Sequence, residues 1–368
     1  MYRLFEKTTD PAREVVDVRA LRWHGPQDLR LDEVPQPDQP GPGQALVEVA
    51  FCGVCGTDLH EVAHGPNLIR TQPHPLTGKQ PPLTMGHEFS GTVVALGSPV
   101  AGIEPGARVA VDPCLRCGVC RWCRHGEYHI CAKGGSVGLA TDGAFASHVL
   151  VPVEGLVPVP DAVSDEHAAL AEPLAVGLHA IHRAGVQAGD NVLVLGAGPI
   201  GLAAVLAAKL AGAAGLYVSE PQAGRARRAV DAGATEVYDP TQSDVRREVF
   251  LRTGRVGPDV VVEATGRPDQ VELAIRTARR GGRVVMAGIS GESAALPITQ
   301  VVPFERTITG ALGYNFDIPR VLDLIATGRL DPSPMLTDVR PLTEAVRTFD
   351  ELNGGGDHMK ILLTPKER

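Results

Sequence analysis

Seven cysteines stand at Cys52, Cys55, Cys114, Cys117, Cys120, Cys123 and Cys131, within one third of a 368-residue chain. The number is odd and the gaps are mostly two residues, which suits metal better than a disulfide framework. In the run Cys117-Gly-Val-Cys120-Arg-Trp-Cys123-Arg-His-Gly-Glu-Tyr-His-Ile-Cys131 the gaps are two, two and seven. Loops of this size turn four thiolates toward one tetrahedral ion, the closed coordination of a structural zinc site. An iron–sulfur cluster fits less well, because the last gap is seven rather than three and no proline follows Cys131. Four buried free thiols in a Gly-, Arg- and His-rich loop would have no core to join. Cys114 is the spare, and a register that uses it in place of Cys131 stays open.

A second constellation is spread over two loops. Cys55-Gly-Thr57-Asp58-Leu-His60 follows a strand that ends near Phe51, and Gly86-His87-Glu88 precedes the next one. A thiolate and an imidazole joined by a third ligand leave zinc one open position, which is the catalytic arrangement. Each member is ambiguous alone: a cysteine after a strand is usually packing, and a His beside a Glu is usually a surface pair. Cys52 falls on the strand's alternation and reads as a small buried residue rather than half of a redox pair.

Val192-Leu-Val-Leu-Gly196-Ala-Gly198-Pro199-Ile200-Gly201 sets Gly-x-Gly-x-x-Gly after a strand and at the start of a helix. The glycines permit a tight turn, close approach of a pyrophosphate and close helix–strand packing, while the helix N-terminus supplies partial positive charge. Glu220 follows Gly201 by 19 residues at the end of the next strand, where a carboxylate accepts hydrogen bonds from an adenosine ribose diol. The same charge repels a 2′-phosphate, so NAD is expected over NADP, although Ser219 and Arg225 are also what a phosphate binder would use.

These sites need two kinds of scaffold. Short strands broken by Gly and Pro run from Val18 to Trp23, Leu29 to Val34, Ala45 to Phe51, Gly91 to Leu96 and Arg108 to Val111, which predicts a compact β domain of barrel type. The stretch from Gly65 to Pro82 is predicted as a long functional loop. Ser164-Asp-Glu caps a helix that is expected to stop near Ala171, ahead of Pro173. After Gly189, apolar runs alternate with Ala-rich helices, predicting a doubly wound α/β domain with buried parallel strands. From about Phe316 the chain is expected to return to the first domain. The divisions are thus 18–171 with 316–368 for the catalytic domain, its metal lobe at 114–131, 172–315 for the dinucleotide domain, and 1–17 as an N-terminal extension.

Composition narrows the partners. A content of 43% hydrophobic and 21% charged residues describes an ordinary globular protein, and no apolar run reaches membrane-spanning length. The net charge of −8 disfavours nucleic acid. The first seventeen residues mix bases and acids, unlike a signal or transit peptide, and a cytoplasmic protein is expected.

Together the motifs resemble the zinc-containing medium-chain dehydrogenase/reductase family. The likeness rests on Cys55-Gly-Thr-Asp-Leu-His60, Gly86-His-Glu88, the four-cysteine lobe, Glu172-Pro-Leu-Ala-Val-Gly177 and Gly196-Ala-Gly-Pro-Ile-Gly201, in the family's order, over roughly Val18 to Pro365. The segments His60 to Pro66, Pro73 to Gly78 and Met85 to Gly91 look most like the 2,3-butanediol branch, then the sorbitol and threonine branches. The resemblance implies a GroES-like catalytic domain beside the Rossmann domain, and a homo-oligomer, dimer or tetramer. It implies two zinc ions per chain, one structural and one held by Cys55 and His87. Glu172 stands where some relatives place a second cysteine, so Glu172 or Glu88 is implied as third ligand. Asp58 would hold the ligand imidazole, Thr57 would touch the substrate hydroxyl, and His60 would pass its proton to solvent. The implied reaction moves a hydride between an alcohol or diol and nicotinamide. A cofactor-binding protein without catalysis, or a zinc-free reductase on the same fold, are the competing readings.

Overall fold

The computed structural model describes residues 17–289 and 291–366, so the N-terminal extension lies, apart from Asp17, outside the described residues. The first half is built of short strands: β1 (Asp17–Gly25), β2 (Asp28–Pro35), β3 (Gln44–Gly53), β4 (Leu83–Thr84), β5 (Glu88–Leu96), β6 (Arg108–Val111), β7 (Cys114–Leu115), β8 (Gly135–Ser136), β9 (His148–Pro152) and β10 (Leu156–Pro158). β3 is the organising strand. It pairs antiparallel with β5 on one edge and, over its two ends, with β9 and a C-terminal strand on the other. Its residues Ala45, Val47, Val49 and Cys52 are at most 1% exposed and pack against Phe89, Met85 and Phe145, which makes this half a closed apolar core. β1, β2 and β4 form a separate three-stranded sheet.

The second half begins from β11 (Asn191–Leu195) and continues through β12 (Gly215–Ser219), β13 (Glu236–Tyr238), β14 (Val260–Glu263), β15 (Arg283–Met286) and β16 (Thr307–Gly310). All pair parallel, in the order β13-β12-β11-β14-β15-β16. Helices cover both faces, so the strands read as unbroken apolar runs: Val192, Leu193, Val194 and Leu195 are all fully buried. The strand order turns back at β11 and β14, and that switch point is where the glycine loop emerges.

The C-terminal strands β17 (Leu336–Pro341) and β18 (Lys360–Thr364) return to the first half, with Leu362 opposite Gly53 and Leu363 opposite Cys52. Three helices concern the sites: α1 (Gly56–His64), α2 (Arg121–Arg124) in the cysteine lobe, and α3 (Asp165–Ala169). Ser164 caps α3 by accepting from the His167 N–H. α3 does stop before Pro173, but the chain does not leave helical geometry there. A new helix, α4 (Ala171–Ala184), starts at once and carries Pro173 in its first turn, where a missing N–H costs nothing because no intrahelical acceptor exists. Glu172 therefore sits at a helix start rather than in a loop. Next come α5 (Pro199–Leu210) and α6 (Ala223–Asp231); α4 packs on α5, joining the core of the second half.

Candidate functional site

In the lobe, the four sulfurs of Cys117, Cys120, Cys123 and Cys131 all lie within 4.8 Å of one another. A tetrahedral zinc with bonds of about 2.3 Å sets its sulfurs roughly 3.8 Å apart, and those of Cys120 and Cys131 are 3.9 Å apart. Backbone N–H groups already favour thiolates here: those of Cys123 and Ala132 bring Cys120 down to about 6, and those of Val119 and Cys120 lower Cys117. Burial and the neighbouring sulfurs push Cys123 up to about 12, a proton that a bound metal would displace. The donor set fits a closed zinc site. Cys114 stays out of the group; it packs beside Tyr314, with its sulfur 3.9 Å from the phenol oxygen.

The second group forms where β3, α1, β5 and β18 meet. Ligand atoms of Cys55, His87 and Glu88 lie within 4.8 Å of one another. Cys55 precedes the first residue of α1, and its N–H donates to Asp58 Oδ2 at 3.0 Å. The other Asp58 oxygen is 3.3 Å from His87 Nδ1, and both atoms are buried without another partner. With Nδ1 facing a carboxylate, Nε2 is the nitrogen left for a metal. Asp58 and Cys55 raise His87's affinity for a proton against the effect of burial, a negative environment equally suited to a cation.

The structure adds a residue that the sequence did not single out. Lys360, 1% exposed, donates from Nζ to Glu88 Oε1 at 2.7 Å and to the Val54 carbonyl at 2.9 Å, and lies 2.6 Å from Glu88 Oε2. Nothing local marks a lysine at the start of an apolar strand as the partner of a glutamate 272 positions away. Its one signal was its type, since a buried lysine requires a partner. Glu172 has no hydrogen bond or ion pair. Desolvation, with the like charge of Glu88, pushes its carboxyl up to about 8, while His87 and Lys360 pull the other way. It thus faces the same charges as the metal group without belonging to it.

Thr57 and His60 lie on α1, three residues apart and on one side of the helix, with His60 exposed. α1 is tied to the following loop by Glu61, whose fully buried carboxylate accepts from the N–H groups of Asn67, Leu68 and Ile69. The rest of the loop is fastened too: Thr77 Oγ1 donates to the Ala140 carbonyl and Lys79 Nζ to Asp142 at 2.9 Å.

At the switch point Gly196 has φ +87°, a conformation that favours glycine, and a Cβ on Gly201 would meet the Gly196 oxygen at 1.9 Å. Beside Gly198 there is open space within 4 Å, and Pro199 and Ile200 open α5 behind it. Glu220, 5% exposed, accepts from Ala197 N–H at 2.7 Å and from Gln222 N–H at 2.9 Å, so it is bonded to the glycine loop itself. Arg225 lies on α6 with its Nε buried and unpartnered. The loop fits a dinucleotide pyrophosphate, with room at Gly198 and an acid beyond it.

Comparison with known proteins places the chain in a family. Residues 41–161 match the alcohol dehydrogenase GroES-like domain and residues 199–327 the zinc-binding dehydrogenase domain. The chain is 37% identical to the (R,R)-butanediol dehydrogenase of Bacillus subtilis (strain 168), across 95% of this chain and 100% of that one. It is 34% identical to the sorbitol dehydrogenase of Bos taurus, across 94% and 95%. Among solved structures, a zinc-binding dehydrogenase from Sinorhizobium meliloti 1021 bound to NADP superposes with a TM-score of 0.87 at 35% identity, covering 95% of this chain and all of that one. A chain that matches the GroES-like and zinc-binding dehydrogenase domains in this order, at 37% identity to a butanediol dehydrogenase over 95% of its length, belongs to the zinc-binding alcohol dehydrogenases of the medium-chain family.

Proposed function

We propose that this dehydrogenase interconverts a vicinal diol and its ketone, 2,3-butanediol and acetoin, with NAD. The observation that carries the reading is the convergence of Cys55, His87 and Glu88, with Asp58 behind the imidazole; the resemblance adds Glu172, at the start of α4, where some relatives place a second thiolate. When bound, zinc supplies the Lewis acidity that makes an alcohol hydroxyl acidic near neutral pH, and nicotinamide accepts the hydride.

The residues have separate tasks. Cys55 and His87 hold the ion with Glu172 as third ligand; Glu88, which is engaged by Lys360 but lies within 4.8 Å of both, is the alternative. Asp58 fixes the imidazole tautomer. Thr57 orients the substrate hydroxyl and hands its proton toward exposed His60 and solvent. Cys117, Cys120, Cys123 and Cys131 hold a second, structural zinc. Glu220 binds the adenosine ribose and disfavours NADP, and Arg225 on α6 is a further cofactor contact. A homo-oligomer is supported by β16, a sheet edge of partly exposed residues that no further strand of the described residues covers. No helix of the described residues is long and apolar enough to cross a membrane, and a cytoplasmic location is part of the proposal.

Purified protein offered butanediol stereoisomers, acetoin, sorbitol and threonine, each with NAD or NADP, tests the reading. The highest kcat/KM is expected for a butanediol isomer with NAD. Preference for sorbitol or threonine would reject the diol, and preference for NADP would favour the Arg225 reading, which the NADP-bound relative supports.

A further inference from the structure

Between the cysteine lobe, α4 and the helix Asp317–Ala326 lies a polar cluster that shares no residue with either metal group. His129, from the turn Tyr128–Ile130, sets its ring against that of His179 on α4, with centroids 5.1 Å apart and planes at 72°. His179 is 7% exposed, and its Nδ1 is 3.2 Å from Asp317 Oδ2, itself on a residue 2% exposed. The remaining contacts of Asp317 are the Asn315 N–H at 3.0 Å, His182 Nδ1 at 3.4 Å and Arg320 at 3.5 Å. Asp317 therefore stays ionised and faces His179 Nδ1, which in the neutral ring makes Nδ1 the protonated nitrogen. That leaves a lone pair on His179 Nε2.

Among the described residues His179 Nε2 has no hydrogen-bond partner, and neither have His129 Nδ1 and Asn315 Oδ1, all three being buried atoms. The Asn315 amide lies beside His129. Phe316, the residue between Asn315 and Asp317, takes φ +59°, and its N–H donates to the Tyr128 hydroxyl at 3.1 Å, which fastens the Asn315 segment to the lobe. A bulky residue rarely accepts this conformation unless the surroundings impose it. Three buried polar atoms, from the lobe, α4 and the Asn315 segment, are thus left without a partner, which is costly unless a bound group satisfies them.

We propose that His129 Nδ1, His179 Nε2 and Asn315 Oδ1 bind a third divalent ion of the zinc type. The ring geometry fits. An ion about 2.1 Å from each nitrogen lies roughly 3.2 Å from each ring centroid, and a tetrahedral angle then separates the centroids by about 5.2 Å, against the 5.1 Å observed. Asp317 behind His179 plays the part that carboxylates commonly play behind metal-bound imidazole. Two nitrogens and an amide oxygen suit Zn²⁺ or Co²⁺ over calcium or magnesium. Such an ion fastens the lobe to α4, which begins at Glu172, and so stiffens the wall of the catalytic group.

Elemental analysis of the full-length protein, loaded with Zn²⁺ and desalted, tests this against His129→Gln and Asn315→Leu. Each variant should carry one equivalent fewer than wild type while keeping its alcohol turnover. Equal zinc content in wild type and His129→Gln overturns the proposal, a buried water then being the occupant. A Co²⁺ titration of wild type supplies a readout independent of the variants' folding. One equivalent should bind with visible ligand-field absorption but without growth of the sulfur-to-cobalt charge-transfer band. If every equivalent that binds adds to that band, the site does not exist.

Discussion

Lys360→Met probes the least expected contact in the molecule. The substitution keeps length and apolar volume but removes the charge that faces Glu88, in a place where Lys360 is 1% and Glu88 0% exposed. Removing one partner of a buried pair leaves an uncompensated charge and typically costs about 3–5 kcal/mol, whereas replacing both is often close to neutral. The nearest relief for an abandoned Glu88 is the ion expected between Cys55 and His87, since all three ligand atoms lie within 4.8 Å. The loss should therefore approach about 3–5 kcal/mol with that ion absent and be smaller when zinc is bound. The assay is guanidinium unfolding of wild type, Lys360→Met, Glu88→Gln and the double variant, each with and without excess zinc. Glu88→Gln should restore most of what Lys360→Met loses, giving a coupling energy of about 2 kcal/mol or more. Additive losses would refute the reasoning, because Glu88 would then not be what Lys360 neutralises.

Four other outcomes are expected. His87→Ala abolishes turnover but leaves dinucleotide affinity, read by nicotinamide fluorescence, within about threefold of wild type; joint loss would mean that the two sites are not separable. Asp58→Asn weakens zinc at the catalytic group about 10–100-fold in a chelator competition, as loss of the carboxylate behind a ligand imidazole does. Glu220→Ala relaxes discrimination against NADP and also weakens NAD about tenfold, because the Ala197 and Gln222 N–H groups lose their acceptor; fluorescence titration with both cofactors reads this. Glu172→Gln changes the pH dependence of stability. With its carboxyl pushed up to about 8 from 4.5, the folded chain binds the proton more tightly than the unfolded one. Without catalytic zinc, that contribution is full below about 4.5 and is lost as pH rises toward 8. Melting temperatures of the variant should fall less across this window than those of wild type, and parallel curves would count against it.

Much of this protein is written locally. Four cysteines at gaps of two, two and seven residues specify their own tetrahedron, because short loops turn their thiols inward wherever they sit. Gly196 and Gly201 are legible for the same reason: the turn they make and the packing they permit are decided within ten residues. The buried strands around Leu193 and Val261 declare a sheet covered on both faces by being apolar throughout. Pro173 misled because the rule about residues before proline does not say whether a new helix is starting, which depends on how α4 docks on α5.

What only the folded chain decides is contact across long separations. The closure of β18 on β3 delivers Lys360 to Glu88, and the meeting of the lobe with α4 brings His129 to His179. Both pairs consist of buried polar groups, whose meaning depends on what each one faces. A sequence specifies the type of such a group, but its partner, and hence its protonation and its capacity to hold an ion, is set by tertiary packing.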